Sequence, residues 1–130
     1  GLFQRKETVQ DVFYGAHPGS GDVDANLANV GEWIRWLTLK DPSRVYIAPW
    51  VAEVTAFKNG DVTEDFYARV LADDQEVVRR LDGILLVGGH ISRGMAIERD
   101  AAEGKTIQDW SYARTPAELR PEHVEALGCQ

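Results

Sequence analysis

The chain predicts an α/β fold: a three-layer sandwich with helices on both faces of a mostly parallel sheet of four or five strands. Three observations carry that expectation. Short apolar runs alternate with longer amphipathic segments. A glycine-rich loop separates the first apolar run from the first helical segment, as at the carboxyl edge of a parallel sheet. Residues 82–109 read as a complete strand, glycine turn, helix and strand, one βαβ unit.

Residues 12–16 are the first predicted strand. The loop Gly15-Ala16-His17-Pro18-Gly19-Ser20-Gly21-Asp22 comes next. Glycines there let backbone N–H groups approach an anion or a sugar beside the positive end of a helix. The loop is neither a phosphate-binding Gly-Lys-Ser/Thr loop nor a GxGxxG turn. An ordinary strand-to-helix connection is the competing reading, and His17 either touches a phosphate or packs. Residues 22–39 are a helix, with Val23, Leu27, Val30, Ile34 and Leu37 at helical spacing and Asp22 or Asp24 suited to its N-terminus. Trp33 and Trp36 widen its apolar face and suit a core or a subunit contact. Asp41-Pro42-Ser43 ends it.

Residues 45–48 are the second strand, with Pro49 and Trp50 at its carboxyl end, where Trp50 either stacks on a base or packs. Residues 51–59 are ambiguous, and Asn59-Gly60-Asp61 is a turn. Residues 63–81 are the second long helix, with Phe66, Val70, Val77, Val78 and Leu81 as its stripe. Asp74 falls on that stripe, four residues after Val70, while Asp73 is rotated about 100° away. The alternative is that Asp74 caps a new helix after a break near Ala72.

In the central unit, Asp82 precedes a strand at 84–87, and Gly88 and Gly89 break it. Ser92 is a good N-cap, residues 93–103 are helical, and Gly104 closes them. Residues 106–110 are the next strand. Glu98 lies on the inward side of the helix, between Gly94 and Ala101/Ala102 and beside Ile97. A helical Glu is ordinarily solvated or salt-bridged, so an inward one needs a reason. Beyond, Thr115-Pro116-Ala117-Glu118 is a capping box with proline at the first helical position. Pro121 divides this last helical region into two short pieces ending at Gly128.

At 130 residues the chain is expected to be one domain, with residues 1–10 outside the ordered part. No apolar run nears the 18 residues of a membrane span, and the first ten residues lack a signal-peptide core. A lone cysteine, Cys129, excludes a disulfide framework and suits a reducing cytoplasm. The net charge of −7 argues against polymeric nucleic acid but leaves room for a single nucleotide. His17, His90 and His123 have no metal-ligand spacing, so neither metal nor cofactor is implied.

Asp82-Gly-Ile-Leu-Leu-Val followed by Ser92-Arg-Gly94-Met-Ala-Ile-Glu98 resembles the signature of the nucleoside 2-deoxyribosyltransferase-like superfamily. The likeness spans about residues 12–109 and is strongest after Asp74. It implies a flavodoxin- or Rossmann-like sheet and cleavage of the N-glycosidic bond of a nucleoside or nucleoside 5′-monophosphate. It also implies Glu98 as nucleophile or electrostatic stabiliser. The aspartate eight residues before Asp82, which is Asp74, then contacts the base. The resemblance further implies that the loop after the first strand, with Gly15, Gly19, Ser20 and Gly21, and the turn with Ser92 and Gly94 hold the ribose or its 5′ end. His17, unusual at its place in that family, and Trp50 are added as substrate-binding candidates from their positions alone.

Such bond cleavage passes through an oxocarbenium-like state at C1′, which one carboxylate meets while an acid helps the base leave. Water as acceptor makes a hydrolase, and a second base makes a transferase. Transferases of the resembled family borrow polar residues from a neighbouring subunit, and this C-terminal tail does not obviously supply them. A homodimer or larger homo-oligomer is expected, from that family's habit and from the surplus of Trp33, Trp36, Trp50, Phe57, Phe66 and Tyr67. The competing class is a non-catalytic nucleotide-binding or sensing module. A third reading is an enzyme acting on another ribosylated metabolite.

Overall fold

Four parallel strands in the order β2-β1-β3-β4 form the central layer of the protein, which we describe from a computed structural model over residues 10–57 and 63–127. In chain order, β1 is Asp11–Ala16, α1 Val23–Lys40, β2 Arg44–Ile47, α2 Pro49–Phe57 and α3 Glu64–Arg80. Then come β3 Gly83–Leu86, α4 Arg93–Ala101, β4 Thr106–Asp109, a 3-10 turn at Pro116–Glu118 and α5 Pro121–Glu125. This is the flavodoxin- or Rossmann-like three-layer sandwich.

The parallel register follows from connection length. Each strand is joined to the next through one helix, or two between β2 and β3, which carry the chain back across the sheet. Phe13, Tyr14, Ile84, Leu85 and Leu86 are fully buried because both sheet faces are covered. The alternation of strand residues then sorts two cores. Phe13, Leu85 and Val87 pack with Trp33, Leu37 and Leu119 on the side of α1 and α5. Tyr14, Ala16, Ile84 and Leu86 pack with Trp50, Val78, Met95 and Ala102 on the side of α2, α3 and α4. Burial of each Val, Leu, Ile, Phe or Met among them is worth about 1.5–3 kcal/mol.

Local signals act where expected. Asp22 caps α1, accepting from Ala25 N at 3.1 Å. Thr63 caps α3 through Phe66 N, and α3 runs unbroken past Ala72, so Asp74 is a mid-helix residue and not a cap. Ser92 caps α4 through Met95 N at 3.2 Å. Asp82 binds β3 to β1, its carboxylate accepting from Val12 N at 2.8 Å. Gly83 admits no side chain, since a Cβ there would lie 2.6 Å from Phe13 Cζ and 2.7 Å from the Thr106 carbonyl.

Some expectations need correction. The ambiguous stretch after Trp50 is helical through Phe57, begun by Pro49 at its first turn. The helix carrying Glu98 ends at Ala101, before Gly104, whose φ of 82° turns the chain into β4. Gly15 belongs to β1 rather than to the loop, where a Cβ would already touch Ile34 and the Ile47 carbonyl. The aromatic surplus is only partly a surface. Trp33 and Trp50 are buried, whereas Phe57 and Tyr67 are 47% and 61% exposed. The turn at Asn59-Gly60-Asp61, the end at Gly128, Cys129 and the first nine residues lie outside the described residues.

Candidate functional site

In a doubly wound sheet the chain leaves β1 and β3 on opposite sides, and the crevice between those strands is where ligands sit. The loop after β1 and the loop after β3 meet there. Gly88, at φ 113°, has space for no side chain because a Cβ would lie 2.5 Å from Pro18 Cδ and 2.8 Å from His17 Cδ2. Pro49 and Trp50 stand at the same carboxyl edge, after β2. The Gly19 loop, the first turn of α2 with Trp50 and the loop ending at Ser92 therefore share one edge of the sheet, as expected from the order of elements.

The chemistry of this region lies on its α2–α4 side. Tyr14 of β1 points into that layer and is fully buried. Its hydroxyl donates to Glu98 Oε2 at 2.5 Å. Glu98 on α4 is 7% exposed and Asp74 on α3 is 3% exposed. Glu53 on α2 is half-buried and acts on both carboxyls. Three helices thus contribute one carboxyl each around a single phenol. Sequence periodicity located Asp74 and Glu98 but missed Tyr14 and Glu53.

Burial governs the electrostatics. Desolvation pushes the Glu98 carboxyl up to about 7, against the opposing hydrogen bond from Tyr14, with the Glu53 charge adding to the rise. Asp74 is also raised well above the carboxylate range, first by burial, then by hydrogen bonding and charge from Glu53, then by the Glu98 charge. Even so, Asp74 Oδ1 is buried and without a partner. Tyr14 is held firmly as the neutral phenol by burial and by the carboxyls of Glu98 and Asp74. An acceptor with no donor inside a protein is uncommon and calls for an explanation, a ligand group among them.

The candidates in the loop after β1 are placed less uniformly. His17 is buried, with Nδ1 against the Pro18 carbonyl at 2.7 Å and Nε2 against Asn29 Nδ2 at 2.8 Å. The Asn29 amide donates, so Nε2 accepts and Nδ1 carries the proton. Desolvation lowers the affinity of this ring for a second proton. Both nitrogens are thus used inside the protein. Gly19 lies against Trp50, with 3.7 Å between its would-be Cβ and Trp50 Cζ3, and Ser20 and Gly21 are exposed. Trp50 is a buried wall, its Nε1 donating to the Gly15 carbonyl at 3.0 Å and its ring stacked on His17. Gly94, in the first turn of α4, has open space where a Cβ would be.

A groove of about 580 Å³, lined by Ala25, Asn29, Glu32, Arg114 and Thr115, lies along α1 and takes no part in the carboxyl cluster. That groove, walled by α1 on one side and by residues 114–115 and Glu118 on the other, holds neither the buried carboxyls nor the orphaned oxygen of the cluster. Among the described residues no group of three His, Cys, Asp or Glu side chains could hold a metal ion, and no helix is long and apolar enough to cross a membrane. No protein-family model, curated protein or solved structure matches this chain.

Proposed function

We propose that the chain cleaves the N-glycosidic bond of a nucleoside or nucleoside 5′-monophosphate. The observation that carries this reading is the pair of buried carboxyls, Glu98 and Asp74, set around the Tyr14 hydroxyl in the layer of α2, α3 and α4. Tyr14 occupies Glu98 Oε2 and leaves Oε1 to meet C1′ as the bond to the base lengthens. Asp74, kept protonated by its surroundings, gives its proton to the departing base nitrogen. Water then adds at C1′, and the proton it loses restores the acid. With a second base in place of water the same residues make a transferase. On this reading the N-terminus of α4, capped by Ser92, and the exposed Ser20–Gly21 turn hold the 5′ end of the substrate. The resemblance of residues 82–98 to the deoxyribosyltransferase-like signature supports the same substrate class. A homo-oligomer belongs to this reading as well.

The test is a panel of nucleosides and their 5′-monophosphates, scored by release of free base. At least one member is expected to be cleaved. Asp74→Asn slows release roughly tenfold or more for poor leaving bases and little for activated ones. A nucleotide that binds and stays intact for hours would transfer the site to a binding or sensing module. An effect of Asp74→Asn that is equal for all bases would remove its role as the acid.

A further inference from the structure

The outer edge of β4 is the least covered part of the sheet. It is a terminal strand in the order β2-β1-β3-β4, and among the described residues nothing pairs with its outer side. Thr106, Ile107 and Asp109 are exposed, Ile107 by 44%. Alternation decides which backbone groups face outward. Thr106 N donates to the Asp82 carbonyl and Trp110 N to the Leu86 carbonyl, so even-numbered residues are directed at β3. The N–H and C=O groups of Ile107 and Asp109, and the carbonyl of Lys105, are directed away from it. The Lys105 N–H is already used by the Ala102 carbonyl.

We propose that this edge pairs with the β4 edge of a second copy, antiparallel about a two-fold axis at Ile107, to make one continuous eight-stranded sheet. The side-chain order is self-complementary about that centre. A residue at 107 + k then lies opposite 107 − k, which sets Lys105 against Asp109 of the second copy and Asp109 against its Lys105. Thr106 faces Gln108, and Ile107 faces itself.

The backbone agrees with the same centre. Ile107 exchanges two N–H···O bonds with its counterpart, and each Asp109 N–H meets a Lys105 carbonyl, the acceptor left free there. Lys105, Ile107 and Asp109 share one side of the sheet, that of Ile84, to which Ile107 is registered. Gln108 is on the other side, held by Arg44, and stays out of the ion pairs. Asp109 Oδ1 is taken by Ser111 N and Oγ, so Oδ2 is the atom offered to lysine. Edges are ordinarily blunted by shortness, by charged side chains, by a bulge or by a proline. β4 is four residues long and bounded by Lys105 and Asp109, which disfavour most strands but lie where self-pairing uses both charges.

One strand pair is smaller than a standard interface of about 1,600 Å², so association is weak and concentration-dependent. Sedimentation velocity on the whole chain from about 10 µM to about 1 mM, the range in which such a contact assembles, is expected to show a monomer–dimer equilibrium. Lys105→Glu sets acids against acids at both ends of the strand pair, and Asp109→Lys sets bases against bases. Each variant weakens dimerisation at least tenfold. An equimolar mixture of the two restores a dimer, because both ends are then attractive in the heterodimer. That rescue also shows that each variant is folded. Amides of Ile107 and Asp109 gain hydrogen-exchange protection as concentration rises. A monomer at all concentrations, a dimer indifferent to both substitutions, or no recovery on mixing would overturn the proposal. Protection of those two amides in the monomer would overturn it too, by assigning the edge to a segment of the same chain.

Discussion

Among the described residues two tyrosine–carboxylate pairs are buried, one on each side of the sheet, and they differ in how many donors the carboxylate receives. On the α1 side, Tyr46 donates to Asp41 Oδ2 at 2.6 Å, while Ser43 supplies its N–H, at 3.1 Å, and its hydroxyl to Oδ1. Both oxygens of Asp41 are satisfied, and Asp41 also ends α1, its N–H returning to the Leu37 carbonyl. On the α2–α4 side, Tyr14 reaches Glu98, and Asp74 keeps an orphaned oxygen. All three carboxyls are buried. A carboxylate surrounded by donors has no reason to react. A pair of carboxyls short of donors is costly in the resting protein, and the cost is recovered when a substrate provides what is missing.

The largest expected difference is in turnover. Glu98→Gln keeps the shape and removes the charge that would meet C1′. Base release is expected to fall by at least roughly a hundredfold with substrate binding retained. Near wild-type release by that variant on the best substrate would end the proposed mechanism.

Next in size is a pH effect on stability. The Glu98 carboxyl titrates at about 7 in the folded protein and near 4.5 when free, so the folded state holds its proton more tightly. The stabilisation is complete below about 4.5 and is lost as pH rises through about 7, about 3 kcal/mol in all. Asp74, shifted in the same direction, adds to the loss toward alkaline pH. Urea unfolding at pH 5 and pH 8.5 should show wild type weaker at the higher pH, and Glu98→Gln should remove the Glu98 share of that difference while the share due to Asp74 remains. An unchanged slope in the variant would mean that Glu98 is not the group responsible.

Turnover passes through a maximum instead. Glu98 must be ionised to act and Asp74 protonated, so activity rises through about 7 and falls again at higher pH. Tyr14→Phe removes the hydrogen bond that favours the Glu98 anion, moving the acid limb to higher pH. At pH 7 this lowers turnover roughly tenfold, what losing about 1.5 kcal/mol from a bond to a charged group gives. A limb that stays in place would show that Tyr14 only packs.

How much of this is legible in the sequence depends on the element. Asp74 and Glu98 sit on helices, where a polar residue on a 3.6-residue stripe is conspicuous. Tyr14 sits in a buried strand, where tyrosine reads as one more apolar residue. The available clue is alternation, which puts Tyr14 and Ala16 on one face, together with the need of a buried phenol for a partner. Glu53 is hidden because the stretch after Trp50 has no clear period. Once Pro49 is seen to start a helix, Glu53 falls one turn after Trp50, facing the same layer. The glycine loop invites a ligand, yet His17 is occupied by Pro18 and Asn29, a contact to α1 that no local pattern reveals. The fold is more legible than the site, because strand and helix periods are local and hydrogen-bond partners are not.

The smallest expected effect is the control for the comparison. Asp41→Asn retains an oxygen for Ser43 and offers Tyr46 an amide in place of Oδ2, whose N–H the phenol oxygen can accept. What is lost is the acceptor of the buried Tyr46 O–H and the charge assistance to the Ser43 bonds, about 1–2 kcal/mol, or a fall of roughly 3–8 °C in Tm for a domain of this size. Base release per folded molecule should be unchanged, since Asp41 is on the far side of the sheet from Glu98. Thermal unfolding and a base-release assay on one sample measure both. If Asp41→Asn slowed release as much as Tyr14→Phe, the two pairs would not differ in kind. Donor count would then be the wrong criterion for telling a structural carboxylate from a reactive one.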